Sequence, residues 1–234
     1  MGLLRLRHLA DPHNDRKVIF TKNKINAFMK NVFIAGAGQR LGKTIAKTLH
    51  QSGYNVILHY FQSEKETKLL AKKLGCQTIQ ADLANLEEVK KMFASLPHID
   101  ILINTVGGFI FKPLSKTKPE ELVGVLHNNL VTAWYCDSTV LPSMRTKKFG
   151  RIIHFGSVGC DQITARPNTT PYYMAKTSLL MLTKSLANEH QNTGVTINMI
   201  SPGVLPTGVK PEGKIPVIPF DDIARGVLLS LIHI

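Results

Sequence analysis

The chain has 234 residues, 44% of them apolar, which is enough to bury one sizeable hydrophobic core. Its formal net charge of +13 is high, but the lysines are dispersed and lack interleaved aromatic residues, which argues against a nucleic-acid partner. No apolar run reaches the roughly 18 residues that a membrane-spanning helix needs, so we expect a cytoplasmic protein without a membrane partner. The three cysteines, Cys76, Cys136 and Cys160, have spacings that suit neither a disulfide framework nor a metal site.

The first 28 residues differ in character from the rest. Residues 1–28 are rich in arginine and lysine and show no reliable helix or strand pattern. They lack the uninterrupted apolar stretch of a signal peptide, and Asp11 and Asp15 argue against a transit peptide. We therefore expect residues 1–28 to be a flexible basic extension and residues 29–234 to form one domain.

From residue 31 onward, short apolar runs alternate with segments of helical periodicity. The predicted strands are Asn31–Ala35, Val56–Tyr60, Gln77–Ala81, Ile99–Asn104, Arg151–Phe155 and Val195–Ile200. The predicted helices cover residues 41–49, 64–74, 85–96, 119–144, 172–189 and 221–228. Strands alternating with helices of this length predict an α/β fold in three α/β/α layers, in which a doubly wound parallel sheet is covered on both faces.

A glycine-rich turn joins the first predicted strand to the first predicted helix. It contains Gly36, Gly38 and Gly42, and Leu41 begins the apolar face of the helix. Glycines let the backbone approach a ligand closely, and a helix N-terminus offers free N–H groups and the positive end of its dipole to phosphates. A lone glycine cluster would indicate only a tight turn. At the first strand–helix junction of an alternating pattern, it predicts a dinucleotide cofactor site.

Tyr172 and Lys176 lie four residues apart in a predicted helix, so they share one helix face. A neighbouring cation favours the phenolate form of a tyrosine, and such a pair can exchange a proton with an alcohol oxygen. Taken alone, the spacing more often indicates a surface tyrosine beside a lysine. Tyr173 is the alternative phenol, but it lacks the four-residue spacing to Lys176.

With these motifs in this order, the chain resembles the short-chain dehydrogenase/reductases, Rossmann-fold enzymes that use NAD(P), over residues 30–228. The further matching segments are Asp82–Leu83, Asn104–Gly107, Asn129–Leu130, Ser157 and Pro202–Thr207. The chain departs from the family pattern at Ala35, where a threonine is usual, and at Arg40, where the glycine motif has its middle glycine. Thr105 and Val106 replace the two central residues of the family's N-N-A-G motif.

The resemblance implies a catalytic tetrad of Asn129, Ser157, Tyr172 and Lys176. In it Ser157 would donate a hydrogen bond to the substrate carbonyl oxygen, and Tyr172 would supply the proton. Lys176 would lower the pKa of the phenol and hold the nicotinamide ribose, and Asn129 would hold a water that links Lys176 to solvent. The implied cofactor-binding residues are Gly36, Gly38, Arg40, Leu41, Gly42, Tyr60, Ser63, Asp82, Leu83, Asn104, Gly107, Tyr172, Lys176, Pro202, Gly203, Val204 and Thr207.

Charge near the second strand predicts the choice of cofactor. An enzyme that prefers NAD usually has an acidic residue at the end of this strand, where it binds the ribose hydroxyls. Here no acid follows Tyr60 until Glu64, and Arg40 in the glycine turn should point toward the same ribose. An arginine pairs with a 2′-phosphate, so the sequence favours NADP(H) over NAD(H).

Three functions are compatible with this resemblance. The segment after Thr207 and the overall pattern are most similar to 3-oxoacyl-acyl-carrier-protein reductases, which implies NADP(H)-dependent reduction of a carbonyl to a secondary alcohol, in a 3-oxoacyl thioester. Pteridine reductases are the first alternative, because they share the arginine in the glycine turn and an H-Y-x-x-S run like His59–Ser63. They typically carry an aspartate, however, where this chain has Ser157. A non-catalytic NADP-binding protein is the second alternative.

Two expectations concern partners. Arg145, Lys147, Lys148, Arg151 and Arg166 should lie near the mouth of the cleft, where they would attract an acidic carrier protein. The segment 221–228 matches the last core helix of the family, and the seventh strand that normally follows it is missing. We therefore expect a C-terminally truncated catalytic domain, and the family implies a homodimer or homotetramer for the full-length protein.

Overall fold

The computed structural model describes residues 29–207 and 216–232, and within them six strands form one parallel sheet. The strands are β1 Asn31–Ala35, β2 Asn55–Tyr60, β3 Gln77–Gln80, β4 Ile101–Asn104, β5 Gly150–Phe155 and β6 Val195–Ile200. Their order across the sheet is β3-β2-β1-β4-β5-β6. The chain therefore reverses its winding direction between β1 and β4, and a crevice opens there at the carboxyl ends of the strands.

Helices cover both faces of the sheet. They are α1 Arg40–Gln51, α2 Glu64–Leu74, α3 Leu86–Ala94, α4 Pro119–Leu126, α5 Thr132–Thr146, α6 Thr170–Glu189 and α7 Phe220–Ile232, with a short 3-10 helix at Leu114–Lys116. One core lies between the sheet and α1, α2 and α7, and includes Ile45 and Val227. The other lies between the sheet and α3, α5 and α6, and includes Met92 and Met144. The predicted doubly wound parallel sheet in three layers is confirmed.

The predicted strands and helices agree with the structure to within a few residues, with one difference of kind. The helix predicted over residues 119–144 is helical throughout, but a π-helical turn at His127–Val131, which was not predicted, lies between α4 and α5. Such a turn accommodates one extra residue and is frequent at functional sites. It contains Asn129, whose side chain is buried.

Two of the predictions concern segments outside the described residues. The proposed flexible extension, residues 1–28, lies outside them, as does the segment 208–215 that follows Thr207. None of the helices within residues 29–207 and 216–232 is long and apolar enough to cross a membrane.

Candidate active site

The glycine turn after β1 has a shape that side chains would prevent. Gly36 has a φ of 77°, in the left-handed region that favours glycine. A Cβ atom on Gly42 would collide with the Gly36 carbonyl oxygen, and one on Gly38 would lie 2.6 Å from the Ser63 hydroxyl. The first residue before α1, Gln39, provides no side-chain cap for the helix. The first amides of α1 therefore remain available to an anion, and this cradle fits a dinucleotide pyrophosphate.

The loop after β4 is bonded to the loop after β1. Asn104 is 4% exposed, and its Oδ1 accepts a hydrogen bond of 3.1 Å from the Val106 amide. The Thr105 hydroxyl donates to the Ala35 carbonyl at 2.6 Å. The Thr105 side chain also lies where a Cβ on Gly36 would meet it, at 3.2 Å. These contacts fix the two sides of the crevice to each other.

Ser157, Tyr172 and Lys176 converge beyond the carboxyl end of β5. Ser157 follows that strand, while Tyr172 and Lys176 lie in the first two turns of α6. The Lys176 Nζ donates a hydrogen bond of 2.7 Å to the Phe155 carbonyl, the last in β5, and lies 5.6 Å from the centre of the Tyr172 ring. Burial lowers the pKa of Lys176 to about 8. This lysine therefore connects α6 to the sheet as well as facing the site.

The acidity of Tyr172 differs from the expectation. Burial raises the pKa of Tyr172 to about 12, and a hydrogen bond with Ser157 offsets only part of that rise. Burial of the phenol dominates this pKa, and the Lys176 ammonium, which was expected to lower it, is bound to the Phe155 carbonyl. The role of Lys176 toward Tyr172 in the reaction stays a prediction. Tyr172 is thus a neutral phenol at physiological pH, the form in which a phenol can donate a proton.

Asn129 provides an unpaired polar atom next to this group. Its Nδ2 donates to the Gly108 and Val125 carbonyls, both at 2.9 Å, while its Oδ1 is buried without a partner among the described residues. A Cβ on Gly107 would lie 2.5 Å from this Oδ1 and 3.6 Å from the Lys176 Nζ. A buried acceptor beside a buried ammonium is the environment that a hydroxyl group or water would satisfy. The neighbouring Asn128 is exposed instead.

Tyr173, the alternative phenol, is engaged elsewhere. Its hydroxyl donates to the Val158 carbonyl at 3.0 Å, and the Arg166 guanidinium lies 4.2 Å from the centre of its ring. The Arg166 Nη2 in turn donates to the Gly159 carbonyl at 3.2 Å. Tyr173 therefore anchors the loop after β5, and Tyr172 is the phenol that faces Ser157.

The remaining predicted cofactor residues surround the same crevice with different exposures. Arg40 is exposed with a φ of 47°, and Ser63 lies directly before α2. Tyr60 and Leu41 are buried in the core, at 5% and 8% exposure, so their side chains offer little surface to a ligand. The other members of the set are Asp82 and Leu83 after β3 and Pro202, Gly203, Val204 and Thr207 after β6. The Pro202 carbonyl accepts a 3.0 Å hydrogen bond from the Val158 amide, which joins this segment to the loop that follows Ser157.

Sequence reasoning missed two residues of the site. Phe109 is 47% exposed, and its ring meets that of Tyr172 edge to face with centres 5.0 Å apart. Its position just after Gly107–Gly108 was the available signal. His59 is buried in β2 and contacts the glycine turn. A single histidine inside an apolar strand gave no sign of this contact.

The basic residues that were expected at the cleft mouth lie, with one exception, at the opposite end of the sheet. Arg145, Lys147 and Lys148 are at the C-terminal end of α5, and Arg151 is at the start of β5. Ser157 lies beyond the opposite end of that strand, and in a parallel sheet all the carboxyl ends share one edge. The four basic residues are therefore remote from the cleft mouth, where only Arg166 of the expected set remains.

Ser157, Tyr172 and Lys176 thus converge beside the glycine turn, at the point where the sheet reverses its winding. This combination is typical of oxidoreductases that use a nicotinamide cofactor on C=O or CH–OH groups. Residues 30–214 match the family described as short chain dehydrogenase, and the chain belongs to that family. Membership confirms the predicted resemblance and enzyme class.

Individual relatives are similar over most of the chain. The oxidoreductase UcpA of Salmonella typhimurium is 33% identical over 76% of this chain and 70% of its own length. The 3-oxoacyl-acyl-carrier-protein reductase FabG of Staphylococcus aureus is 29% identical over 75% of this chain and 74% of its own length. A gluconate 5-dehydrogenase from Burkholderia cenocepacia, solved in complex with NADP and tartrate, has the same fold, with a TM-score of 0.78 at 22% identity over 86% and 87% of the two chains.

Proposed function

We propose that this protein is an NADP(H)-dependent reductase that converts a carbonyl group to a secondary alcohol, with a 3-oxoacyl thioester as the first candidate substrate. The observation that carries the proposal is the convergence of Ser157 and the phenol of Tyr172 beside Lys176, whose Nζ is anchored to the Phe155 carbonyl. A ketone needs two donors at its oxygen when hydride reaches its carbon, and these two hydroxyls are donors.

Each side chain has a defined task in this reaction. The bound nicotinamide cofactor supplies the hydride. The Ser157 hydroxyl orients the substrate oxygen and stabilises the negative charge that develops on it. The Tyr172 phenol holds a proton at its oxygen and transfers it to the same atom. The Lys176 Nζ and the Asn129 Oδ1, which has no partner within the described part of the chain, both lie near Gly107, so a hydroxyl or water held between them can return a proton toward the phenol.

The two directions of the reaction use different forms of the Tyr172 phenol. Reduction requires the protonated phenol, whereas oxidation of an alcohol requires the phenolate as a base. With a pKa of about 12, nearly every molecule carries the proton at neutral pH. At neutral pH Tyr172 is therefore in the protonated form, which is the form that reduction uses.

The preference for NADP(H) is supported by the charges beyond β2. The exposed Arg40 has no acidic neighbour in the stretch Phe61–Ser63. The nearest acid, Glu64, is in an ion pair with Lys68 at 2.5 Å, which reduces its repulsion of a phosphate. Arg40 would contact the 2′-phosphate, and Gly36, Gly38 and Gly42 would admit the pyrophosphate.

The 3-oxoacyl thioester is supported by Ser157 and by the similarity to a relative that bears the name of such a reductase. Because the basic cluster is remote from the site, attraction of an acidic carrier protein no longer contributes to this choice. A pteridine is the second candidate, and the observation that favours it is the exposed ring of Phe109 beside Tyr172. A flat bicyclic substrate can stack on such a ring.

The decisive experiment is an NADPH-consumption assay on acetoacetyl thioester, a dihydropteridine and simple ketones side by side. We expect turnover of the thioester. Robust reduction of the pteridine without thioester activity would replace the first candidate with the second, and a Phe109→Leu variant should then lose pteridine activity selectively.

Self-association as a homodimer or homotetramer is also part of the proposal. Trp134 on α5 and Met181 on α6 are 44% and 72% exposed, and a groove of about 820 Å³ lies between these helices, lined in part by Trp134, Leu141 and Leu186. Exposed apolar surface of this kind is typical of an interface. Light scattering on the purified protein measures the assembly directly.

A further inference from the structure

His59 makes two hydrogen bonds from inside the sheet. It is 2% exposed on β2, next to the strand that leads into the glycine turn. Its Nδ1 lies 3.2 Å from the Gly36 amide nitrogen, and its Nε2 lies 3.0 Å from the Ala81 carbonyl oxygen. The backbone of the same residue takes part as well, because the Ala37 amide donates to the His59 carbonyl at 2.9 Å.

These partners determine the protonation of the ring. A carbonyl oxygen can only accept, so Nε2 must carry a hydrogen, and an amide can only donate, so Nδ1 must be without one. The ring is therefore the neutral Nε2–H tautomer. Burial lowers the pKa of His59 to about 4, against a smaller raising effect of the Ala81 carbonyl and of Asp82, the charged group that acts on it among the described residues.

The consequence concerns the shape of the cofactor cradle. The amides of Gly36 and Ala37 are both held by residue 59, so they point into the sheet rather than toward a ligand. Gly36 has a φ of 77° at this point, where the chain leaves β1 and enters the turn. If the ring served only to fill space against Phe33, whose ring centre is 5.7 Å away, an apolar side chain would replace it without loss of ligand binding.

We infer that His59 is a positioning residue for the dinucleotide site, whose Nδ1 fixes the Gly36 amide and thereby the conformation of the glycine turn. The inference rests on the proposed use of a dinucleotide cofactor. Loss of the acceptor would leave a buried amide unpaired, and the turn would relax away from the shape that the pyrophosphate requires. His59 does not touch the reacting atoms, so its effect should appear in cofactor affinity.

A matched pair of variants separates positioning from packing. His59→Asn keeps an acceptor oxygen near the position of Nδ1, whereas His59→Leu keeps apolar volume and removes the acceptor. Fluorescence titration with NADP⁺ should show Kd raised about tenfold or more in His59→Leu, equivalent to about 1.4 kcal/mol, and raised less than about threefold in His59→Asn. Equal Kd values for His59→Leu and the wild type, or equal losses in both variants, would overturn the inference.

Two measurements on folded wild-type protein cover the case in which a variant does not fold. Long-range ¹⁵N–¹H NMR correlations on the cofactor-free protein should show the Nε2–H tautomer at neutral pH, and an Nδ1–H tautomer or an imidazolium would refute the hydrogen bond. The NADP⁺ affinity of the wild-type protein should fall as the pH approaches about 4, because a protonated Nδ1 cannot accept a hydrogen bond from the Gly36 amide. The fall should be steeper than in His59→Asn, and parallel plots of affinity against pH for the two proteins would refute the role of His59 in binding. Wild-type protein that binds neither NADP⁺ nor NAD⁺ would refute the proposed function instead, and the tautomer measurement would still test the hydrogen bond.

Discussion

Replacement of Tyr172 by phenylalanine tests the proton donor directly. The change removes one oxygen atom and leaves the ring, its edge-to-face contact with Phe109 and the Lys176 bond to the Phe155 carbonyl in place. The fold and the cofactor cradle should therefore survive. General acid catalysis contributes about 10²–10⁴-fold, so kcat should fall by about two to four decades, or about 3–5 kcal/mol in activation free energy.

The assay compares this variant with Tyr173→Phe under identical conditions. Both substitutions remove a phenol oxygen at neighbouring positions of α6, but Tyr173 donates to the Val158 carbonyl instead of facing Ser157. Steady-state NADPH consumption gives kcat, and fluorescence titration gives the Kd for NADPH. We expect Tyr173→Phe to keep kcat within about tenfold, because it loses one hydrogen bond worth about 1 kcal/mol. A Tyr172→Phe enzyme with near-normal kcat, alongside an inactive Tyr173→Phe enzyme, would show that the wrong phenol had been identified.

Three further outcomes follow from the site. Arg40→Ala should weaken NADPH binding by one to two decades, about 1.5–3 kcal/mol, and leave NADH binding unchanged. The control Lys47→Ala removes the same charge further along α1 and should change the affinity for neither cofactor. Equal affinities of the wild-type protein for NADPH and NADH would contradict this prediction. Because oxidation needs the phenolate of Tyr172, whose pKa is about 12, the rate of alcohol oxidation should rise with pH through pH 10. Reduction should stay flat only below about pH 8, where Lys176 begins to lose the proton that it returns toward the phenol. Oxidation that reaches its plateau below pH 7 would contradict the raised pKa of Tyr172. Gly107→Ala should lower kcat, because the added Cβ would lie 2.5 Å from the Asn129 Oδ1 and displace that side chain. In the control Gly108→Ala, the nearest atom to the added Cβ is 3.8 Å away, so this variant should retain activity. Equal activities of the two variants would mean that Asn129 has no part in turnover.

Much of the fold could be predicted because buried strands and helix faces have a clear periodicity. β1, for example, has the same bounds in the prediction and in the structure, since an apolar run ends at a glycine turn. The π-helical turn could not be predicted, because one extra residue in a turn hardly alters the apolar pattern over 25 residues of helix. The shared helix face of Tyr172 and Lys176 could be predicted from their spacing, but their place in a site required the other motifs of the chain.

The spacing of residues in the sequence does not show which side chains are buried or at which end of the sheet they lie. The raised pKa of Tyr172 follows from burial, and burial depends on the loops that cover α6. The misplaced basic cluster had a signal in the sequence, since Arg151 begins a strand and Ser157 follows its end, and a strand separates those positions by its whole length. The contact between His59 and Gly36 depends on strand pairing between β1 and β2, which sets two residues 23 positions apart side by side.

The π-helical turn at His127–Val131 also determines the angular phase between α4 and α5. Each residue of an α-helix advances the side-chain direction by about 100°, so the extra residue offsets everything before the turn from everything after it by about that angle. A chain shortened by one residue here would close into a regular helix, and either the Asn129 amide would rotate away from the Gly108 carbonyl or the apolar face of α5 would rotate off the sheet. Insertions and deletions in this stretch should therefore be far less tolerated than substitutions at its exposed positions, such as Asn128.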